Sequence, residues 1–502
     1  MLDPKQPQKK SKRKWKWKFE WTKKRIILTS ILGLLIVALI FGGIFVYKIL
    51  NPESAFSNAF KGTEINKMAA QQTGDVQANP EEDPFIKLKA QSDLSFLEGK
   101  ENILLLGLDR NKSRESWGAY RTDTMMLVVC DFKQNKVSII SLPRDSLVYI
   151  CPFNTMARIN TAFGNGGGED KDGYEYAMKT VSRQLGGIPV SYYVGFDMTV
   201  VQKIVDTIGG IDYNVDVDVE YAGRTISQGQ QHLNGIQVLD YCRQRHGSSD
   251  IARVDRQQRM VMEIINQLKA KGKISDMPAI FQSLQENIDT NLDFTQICAL
   301  ALFGKDMDLS NLKRYTLPGN FLDIDGDSYW GINQSEKVKM ISEVFGTNVS
   351  GNSKESFSRL KDLSDRKIAA TSSANKKLST ASSYFSTNAK YITTTQKSKL
   401  SEYKTSMQTL IAEKSVTSLQ STVEDLEYTN KKFDTWFTGV QQAVDAKKAA
   451  ASASPSTSPS ASTSPSASTS PSASTSPSAS TSPSASTSPS ASTSPSSSAS
   501  TT

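Results

Sequence analysis

Eight side chains in five short stretches between residues 102 and 258 are of the types that grip a pyrophosphate beside a divalent ion: Asp109, Arg121, Asp123, Arg144, Arg243, Arg245, Arg253 and Gln257. An arginine presents a planar fork that binds phosphate oxygens at two points and keeps its proton. Paired aspartates without a histidine suit a hard, oxygen-seeking ion. Magnesium takes one or two carboxylates and fills its shell with phosphate oxygens and water. Asp109 and Asp123 are therefore the candidate ligands, with manganese as the alternative ion. Phosphoryl transfer asks mostly for positioning and charge neutralisation, which arginines and a divalent ion supply together. No P-loop pattern occurs. Arg121 and Arg144 are the catalytic candidates, with Asp145 beside them as a candidate base; the metal-bound carboxylates are alternatives and His246 a weaker one.

The chain must fold these residues onto one surface. Ile103–Leu108, Thr124–Cys130 and Val137–Leu142 are apolar runs of strand length. If they form an antiparallel meander, the end of the first, the start of the second and the end of the third share one edge. Asp109 and Arg110 then meet Arg121, Asp123 and Pro143-Arg144-Asp145 at one rim. Taken singly, each is explained as well by a surface ion pair or a turn residue; their convergence is what points to a site. Farther along, Arg243 and Arg245 share a face only if that segment is extended, and Gly247 favours a chain that has left the helix begun near Asn234. Asp250 is placed to cap the next helix, with Arg253 and Gln257 one turn apart on one face. A helix start beside an arginine is an anion site. Asp255, Arg256 and Arg259 read as ordinary surface pairs.

Other elements are legible too. Tyr174–Leu185 is a helix stopped by Gly186-Gly187. Asp197 caps a second helix that ends at Gly209-Gly210, and strands at Tyr192–Val194 and Ile211–Val215 flank it. Segments 253–271 and 333–345 are helical. Strands and helices interleave, so the fold class is α/β, a central mixed sheet flanked by helices.

Charge and hydropathy place this domain outside a membrane. Eleven Lys/Arg against Asp3 and Glu20 put +9 in the first 25 residues, so the rest of a chain of net charge +8 is close to −1. The basic charge thus speaks for anionic lipid and against nucleic acid. Residues 26–47 form a charge-free apolar run of 22 residues, enough to cross the hydrocarbon as a signal-anchor. Trp15, Trp17, Phe19 and Trp21 precede it as an aromatic belt. The Lys/Arg bias keeps the N-terminus cytoplasmic and sends the remainder outside. Four cysteines show no paired spacing and read as buried free thiols rather than a Cys130–Cys151 bridge. His232 and His246 do not make a zinc site.

The expected order is a basic cytoplasmic segment (1–25), a membrane span (26–47), an extracellular stalk (48–95), the catalytic domain (96–350), a helical segment (351–450) and a disordered tail (451–502). In the helical segment, Leu400, Tyr403, Met407 and Leu410 keep heptad spacing. So do Val416, Leu419, Val423, Leu426, Phe433, Phe437, Val440 and Val444, with Asn430 at one seam position. The two runs are out of phase, which predicts a hairpin of two helices. From Pro459 to Pro495 a proline recurs every six residues within Ser/Ala/Thr, a composition that builds no core.

The stretches NILLLGLDR (102–110), RTDTMMLV (121–128), LPRDSLV (142–148), RINTAFGNGG (158–167), IDYNVDV (211–217), HLNGIQVLDYCRQRH (232–246) and DIARVDRQQRM (250–260) resemble, in order, the motifs of the LytR-CpsA-Psr family of cell-envelope proteins. The resemblance covers roughly residues 100–270. It implies a membrane-anchored, magnesium-dependent phosphotransferase of a Gram-positive-type bacterium. Such an enzyme moves a teichoic-acid or capsule-type glycopolymer from a polyprenyl-pyrophosphate carrier to peptidoglycan. By motif match, Asp109 and Asp123 bind the metal, and Arg121, Arg144, Arg243, Arg245, Arg253 and Gln257 contact the pyrophosphate. An apolar pocket for the prenyl chain is also implied, with Val200, Val201, Ile204 and Val205 as candidates. The chain departs from the family pattern in a short Arg245–Asp250 segment and in Cys242, where alanine is usual. Two other readings use the same residues: a pyrophosphatase that cleaves prenyl pyrophosphate with water, and an envelope-binding regulatory protein without turnover.

Overall fold

The computed structural model describes residues 40–56, 87, 94–108, 122–153, 155–244 and 250–453. The predicted cytoplasmic segment, most of the predicted span and the tail from 454 onward lie outside them. Among the described residues no helix is long and apolar enough to cross a membrane.

The expected meander is present. Strand β1 (Lys100–Leu108) pairs antiparallel with β2 (Thr122–Asp131), and β2 with β3 (Lys136–Ser141). Their side chains alternate as a pleated strand requires. Leu104, Leu106, Leu127, Val129 and Ile140 line one core, while Met126, Cys130 and Ile139 belong to another on the opposite face. After a hairpin of β4 (Leu147–Ile150) and β5 (Thr155–Arg158), helix α1 (Gly173–Gln184) packs Ala177 and Val181 onto the first core. It stops where Gly186 and Gly187 take φ of 75° and 92°, a conformation that suits glycine. Strand β6 (Tyr192–Asp197) then enters parallel to β1. Asp197 caps helix α2 (Met198–Thr207) by accepting from the Thr199 amide at 2.6 Å.

A small lobe follows: β7 (Ile211–Val215), the hairpin β8 (Val219–Tyr221) and β9 (Arg224–Ile226), and β10 (Gly229–Leu233), which pairs with β7. Asn234 opens helix α3 (Gly235–Arg243) with a capping box closed by Gln237. Helix α4 (Asp250–Ala270) comes next, then β11 (Ile288–Thr290), α5 (Phe294–Asp306) and β12 (Leu312–Thr316). The sheet order is β11-β6-β1-β2-β3-β12, with β1–β6 and β3–β12 parallel and the remaining pairs antiparallel. The sheet is therefore mixed. Helices α4 and α5 cover its second face through Val261, Ile265 and Phe303.

Beyond β12 come the hairpin β13 (Gly319–Ile324) and β14 (Asp327–Ile332) and helix α6 (Gln334–Phe345). The C-terminal segment differs from the expected pair of helices. It holds three: α7 (Phe357–Thr387), α8 (Thr394–Ala412) and α9 (Leu419–Ser452). The predicted break does fall between α8 and α9, and Met407, Leu426 and Phe433 pack together as their spacing implied. The unforeseen α7 faces them with Ala370, Ala374, Leu378 and Ala381. The bundle continues into the preceding domain, since Leu360, Leu363, Leu419 and Val423 share a core with Leu147, Met156, Leu322 and Ile324.

A buried polar cluster joins the two. Glu355, 1% exposed, accepts from the Tyr149 amide at 2.7 Å and from Gln184 Nε2 at 3.2 and 3.1 Å. Nearby Lys337 is also buried, and burial pushes its ammonium down to about 8; attraction to Glu355 offsets part of this and repulsion from Arg183 adds to it. A base whose folded pKa lies below its unfolded value destabilises most where both states are protonated. That cost is full below about pH 8 and fades as pH rises towards 10.5. Lys337 should therefore contribute a gain of roughly 2 kcal/mol between pH 7 and pH 9.5, read as the difference between the urea-unfolding pH profiles of the wild type and Lys337→Met. In Lys337→Met this gain should be absent, and an unchanged pH profile would show that Lys337 is not its source.

All four cysteines are free, with Cys130 and Cys151 buried. Burial pushes the Cys130 thiol up to about 12.

Candidate functional site

The sheet topology brings one set of strand ends to a common rim. Leu108 at the end of β1 lies between Thr122 at the start of β2 and Asp197 at the end of β6. Ser141 at the end of β3 lies between Met126 and Thr316. Asp123 is the second residue of β2, and Pro143-Arg144-Asp145-Ser146 turns just beyond β3.

That turn is held from several sides. Ser146 donates to the Pro143 carbonyl through its amide at 2.9 Å and its hydroxyl at 2.7 Å. The Arg144 carbonyl accepts from the Asn160 amide at 3.2 Å, the Asp145 carbonyl from Trp330 at 2.9 Å and the Ser146 carbonyl from Ile159 at 2.8 Å. Two separate elements, the turn at 159–161 and the strand carrying Trp330, thus fix the backbone that carries Arg144, which is how a short loop acquires the positional precision a site needs.

The side chains form an alternating array. Arg144 Nη1 donates to Asp123 Oδ1 at 2.8 Å, and its Nε lies 3.4 Å from Asp145 Oδ2. Arg158 Nε lies 3.3 Å from the other Asp145 oxygen. Its Nη2 reaches Asp327 at 3.3 Å and the Ser328 carbonyl at 3.1 Å, and its guanidinium sits 4.5 Å from the centre of the Tyr329 ring. Arg144 is the most sheltered member at 19% exposure, against 34% for Asp123. Two sequence candidates, Asp123 and Arg144, are therefore in direct contact, and Asp145 bridges two arginines. Each Asp145 oxygen has one guanidinium nitrogen beside it, which leaves lone pairs that could still accept a proton. Arg158 lies within a recognised motif, but its place in the array was not foreseen; Asp327, in a hairpin outside the motifs, carried no signal. Asp109, Arg121, Arg245 and His246 lie outside the described residues.

The second block differs in detail from expectation. Arg243 is the last residue of helix α3, not part of an extended segment, and its side chain is exposed. Asp250 is the first residue of α4 rather than a cap preceding it. Arg253 is buried at 5% exposure, with Gln257 half-buried one turn on. Gln258 donates to the Tyr315 carbonyl at 2.6 Å, which ties this part of α4 to β12 next to its rim end. Arg256 is buried rather than a surface partner, donating to the Gln244 carbonyl at 2.6 Å. Arg259 pairs with both Asp216 and Asp255. Burial works against ionisation of Asp216, but hydrogen bonds from Arg259 and Tyr241 outweigh it and hold the carboxyl below its usual range. Val200 and the partly buried Ile204 pack with Ile280 and Leu284, and Val205 and the partly buried Val201 pack with Ile208 and Ile211.

As to a metal, no cluster of three or more His, Cys, Asp or Glu ligands occurs among the described residues. Asp123 gives one oxygen to Arg144. A magnesium ion that takes most of its shell from phosphate and water needs no more than one or two such carboxylates, so the donor chemistry of Asp123 fits.

The LytR_cpsA_psr family matches residues 60–345 of the chain. The chain is 28% identical over 245 residues to the polyisoprenyl-teichoic acid–peptidoglycan teichoic acid transferase TagU of Bacillus subtilis, covering 48% of this chain and 76% of that protein. It is 26% identical over 324 residues to TagU of Bacillus cereus (strain AH820), covering 64% and 97%. Against the crystal structure of B. subtilis TagV it gives a TM-score of 0.43 at 25% identity, covering 50% of this chain and 98% of that one.

Proposed function

The chain belongs to the LytR_cpsA_psr family, and on that premise we propose that it attaches a teichoic-acid-type glycopolymer from a polyprenyl-pyrophosphate carrier to peptidoglycan. The observation that carries this reading is the rim contact of Arg144 with Asp123, which sets a guanidinium suited to an anion beside a carboxylate suited to a cation. The names of the TagU relatives supply the substrate classes. The polybasic segment and the apolar run at 26–47 support a membrane-anchored enzyme working on the outer face.

In this reading, the acceptor hydroxyl oxygen attacks the phosphorus nearest the glycan. A new P–O bond forms, the bond to the bridging oxygen breaks, and polyprenyl phosphate leaves with the electron pair. The hydroxyl proton passes to a rim carboxylate, Asp145 or Asp123. Arg144 meets the charge that develops on the phosphoryl oxygens. Arg121, Arg243, Arg245, Arg253 and Gln257 are assigned to the pyrophosphate, and Asp109 with Asp123 to the metal. A divalent ion held there would supply Lewis-acid polarisation of the phosphoryl oxygens.

Mass spectrometry of lipid retained by the purified full-length protein tests the donor class. A polyprenyl diphosphate, bare or glycan-linked, is expected, and it should be lost from Arg144→Ala. Retention of bulk phospholipid alone would count against the reading. Chelation of divalent ions should abolish turnover, with recovery on adding magnesium or manganese.

A further inference from the structure

The described residues just after the apolar run, 48–56, end in an aromatic ring packed on the sheet domain. Residues 40–50 are helical, and Asn51 closes this helix by donating to the Tyr47 carbonyl through its amide and its side chain, both at 3.0 Å. The Asn51 carbonyl in turn accepts from the Ser54 amide at 2.8 Å and hydroxyl at 2.7 Å. One helical turn later, Phe56 is 2% exposed. It stacks on Phe132 at 5.4 Å and meets Tyr192 edge-on at 5.2 Å, while Phe132 meets Phe303 at 4.9 Å. Gln296 Nε2 reaches both the Ala55 carbonyl at 3.4 Å and the Tyr192 hydroxyl at 3.1 Å. An aromatic ring locked in this way resists rotation of the segment that carries it.

The location of this clasp matters. Phe132 follows the end of β2, and Tyr192 is the first residue of β6. Both lie at the end of the sheet opposite the rim that carries Asp123 and Arg144. The nine residues of β1 separate the two ends, roughly 30 Å at the usual strand rise.

From this we infer that the Phe56 clasp makes the β2–β3 turn the membrane-proximal end of the domain and holds the Asp123–Arg144 rim as its membrane-distal end, facing away from the lipid surface. The inference takes the run 26–47 as the span, and its meaning for the reaction rests on the proposed transfer. The carrier's pyrophosphate would then be drawn up from the bilayer to be used, and the acceptor would approach from the far side. The partner surface at the clasped end is the lipid headgroup layer. Exposed Tyr47 and Leu50 stand next to the clasp, and Lys133 beside it is paired with Glu98 at 2.8 Å and Glu53 at 3.9 Å.

Energy transfer tests this without turnover, so failure of the orientation and failure of the transferase reading are separable. The full chain, with Cys242→Ala and Cys298→Ala to remove the accessible thiols, is placed in phosphatidylglycerol/phosphatidylethanolamine vesicles with acceptor dye on the headgroups. A donor fluorophore is attached at Gln134→Cys, beside the clasp, or at Asn320→Cys, on the hairpin that packs near the rim. Strong transfer from position 134 and little from position 320 is expected. Equal transfer, or stronger transfer from 320, would overturn the orientation. In Phe56→Ala the contrast should shrink. A flexible insert of about ten Gly/Ser residues between Asn51 and Pro52 leaves every packed side chain in place and should shrink it too; an unchanged contrast in the insert would overturn the role of the clasp.

Discussion

Replacing Arg144 with alanine is expected to lower transfer by about two to three orders of magnitude, the usual cost of removing one preorganised donor from a developing oxyanion. The midpoint of unfolding should stay nearly unchanged. Arg144 spends its side chain on Asp123 and Asp145, both about a third exposed, and ion pairs that water can reach contribute little to stability. The turn itself is held through backbone atoms by Asn160, Ile159 and Trp330, none of which uses the guanidinium. Arg144→Lys should recover only a fraction, because an ammonium cannot span two oxygens in one plane. Asp123→Ala should lose turnover to a similar degree, and excess magnesium should not restore it. The check is the initial rate of glycan transfer by purified full-length variants, alongside their denaturation curves. Turnover near the wild-type rate in both would remove the rim from the chemistry.

Glu355→Ala should have the largest effect on stability, a loss of about 3–5 kcal/mol, measured by urea unfolding. The change leaves the Tyr149 amide and the Gln184 amide group without their buried acceptor, and each orphaned donor costs about 1–3 kcal/mol. It also removes the negative charge that partly offsets the burial of Lys337. Glu355→Gln keeps acceptor capacity and should cost less. Combining Glu355→Ala with Lys337→Met should recover part of the loss, because two members of one buried cluster are not additive. Tyr149 lies in β4, directly after the Arg144 turn, so Glu355→Ala should also lower the temperature at which transfer fails. A loss below 1 kcal/mol would mean that the cluster does not join the C-terminal bundle to the sheet.

The frame of the site could be read from the chain because its signals are local. Apolar runs of strand length in β1 to β3, a capping aspartate at Asp197 and glycine pairs at 186–187 and 209–210 depend on a few neighbours and survive folding unchanged. Where tertiary contacts decide, the reading fell short. Helix α3 runs through Arg243 and ends at Gln244, whose side chain reaches the Asp218 carbonyl at 3.3 Å and whose own carbonyl is taken by Arg256; nothing nearby in the sequence marks that boundary before Gly247. Helix α7 presents alanines and a few leucines to its partners, a face too weakly apolar to stand out among serines and lysines. Helix α5 carries a capping box of Asp293 and Gln296, but its Ile-Cys-Ala-Leu-Ala-Leu-Phe run is apolar on all sides and shows no stripe. Arg158 and Asp327 meet across 169 residues of chain, a separation that no spacing rule spans.

The most direct test of the account follows a labelled glycopolymer on polyprenyl pyrophosphate when the full-length protein, magnesium and peptidoglycan are combined. The account predicts label covalently joined to peptidoglycan through a phosphodiester, with polyprenyl phosphate released in equal amount. Label released only as free glycan phosphate would mean that water is the acceptor. Donor left intact, although bound, would mean that the protein holds a lipid-linked glycan without acting on it. Either result would contradict transfer.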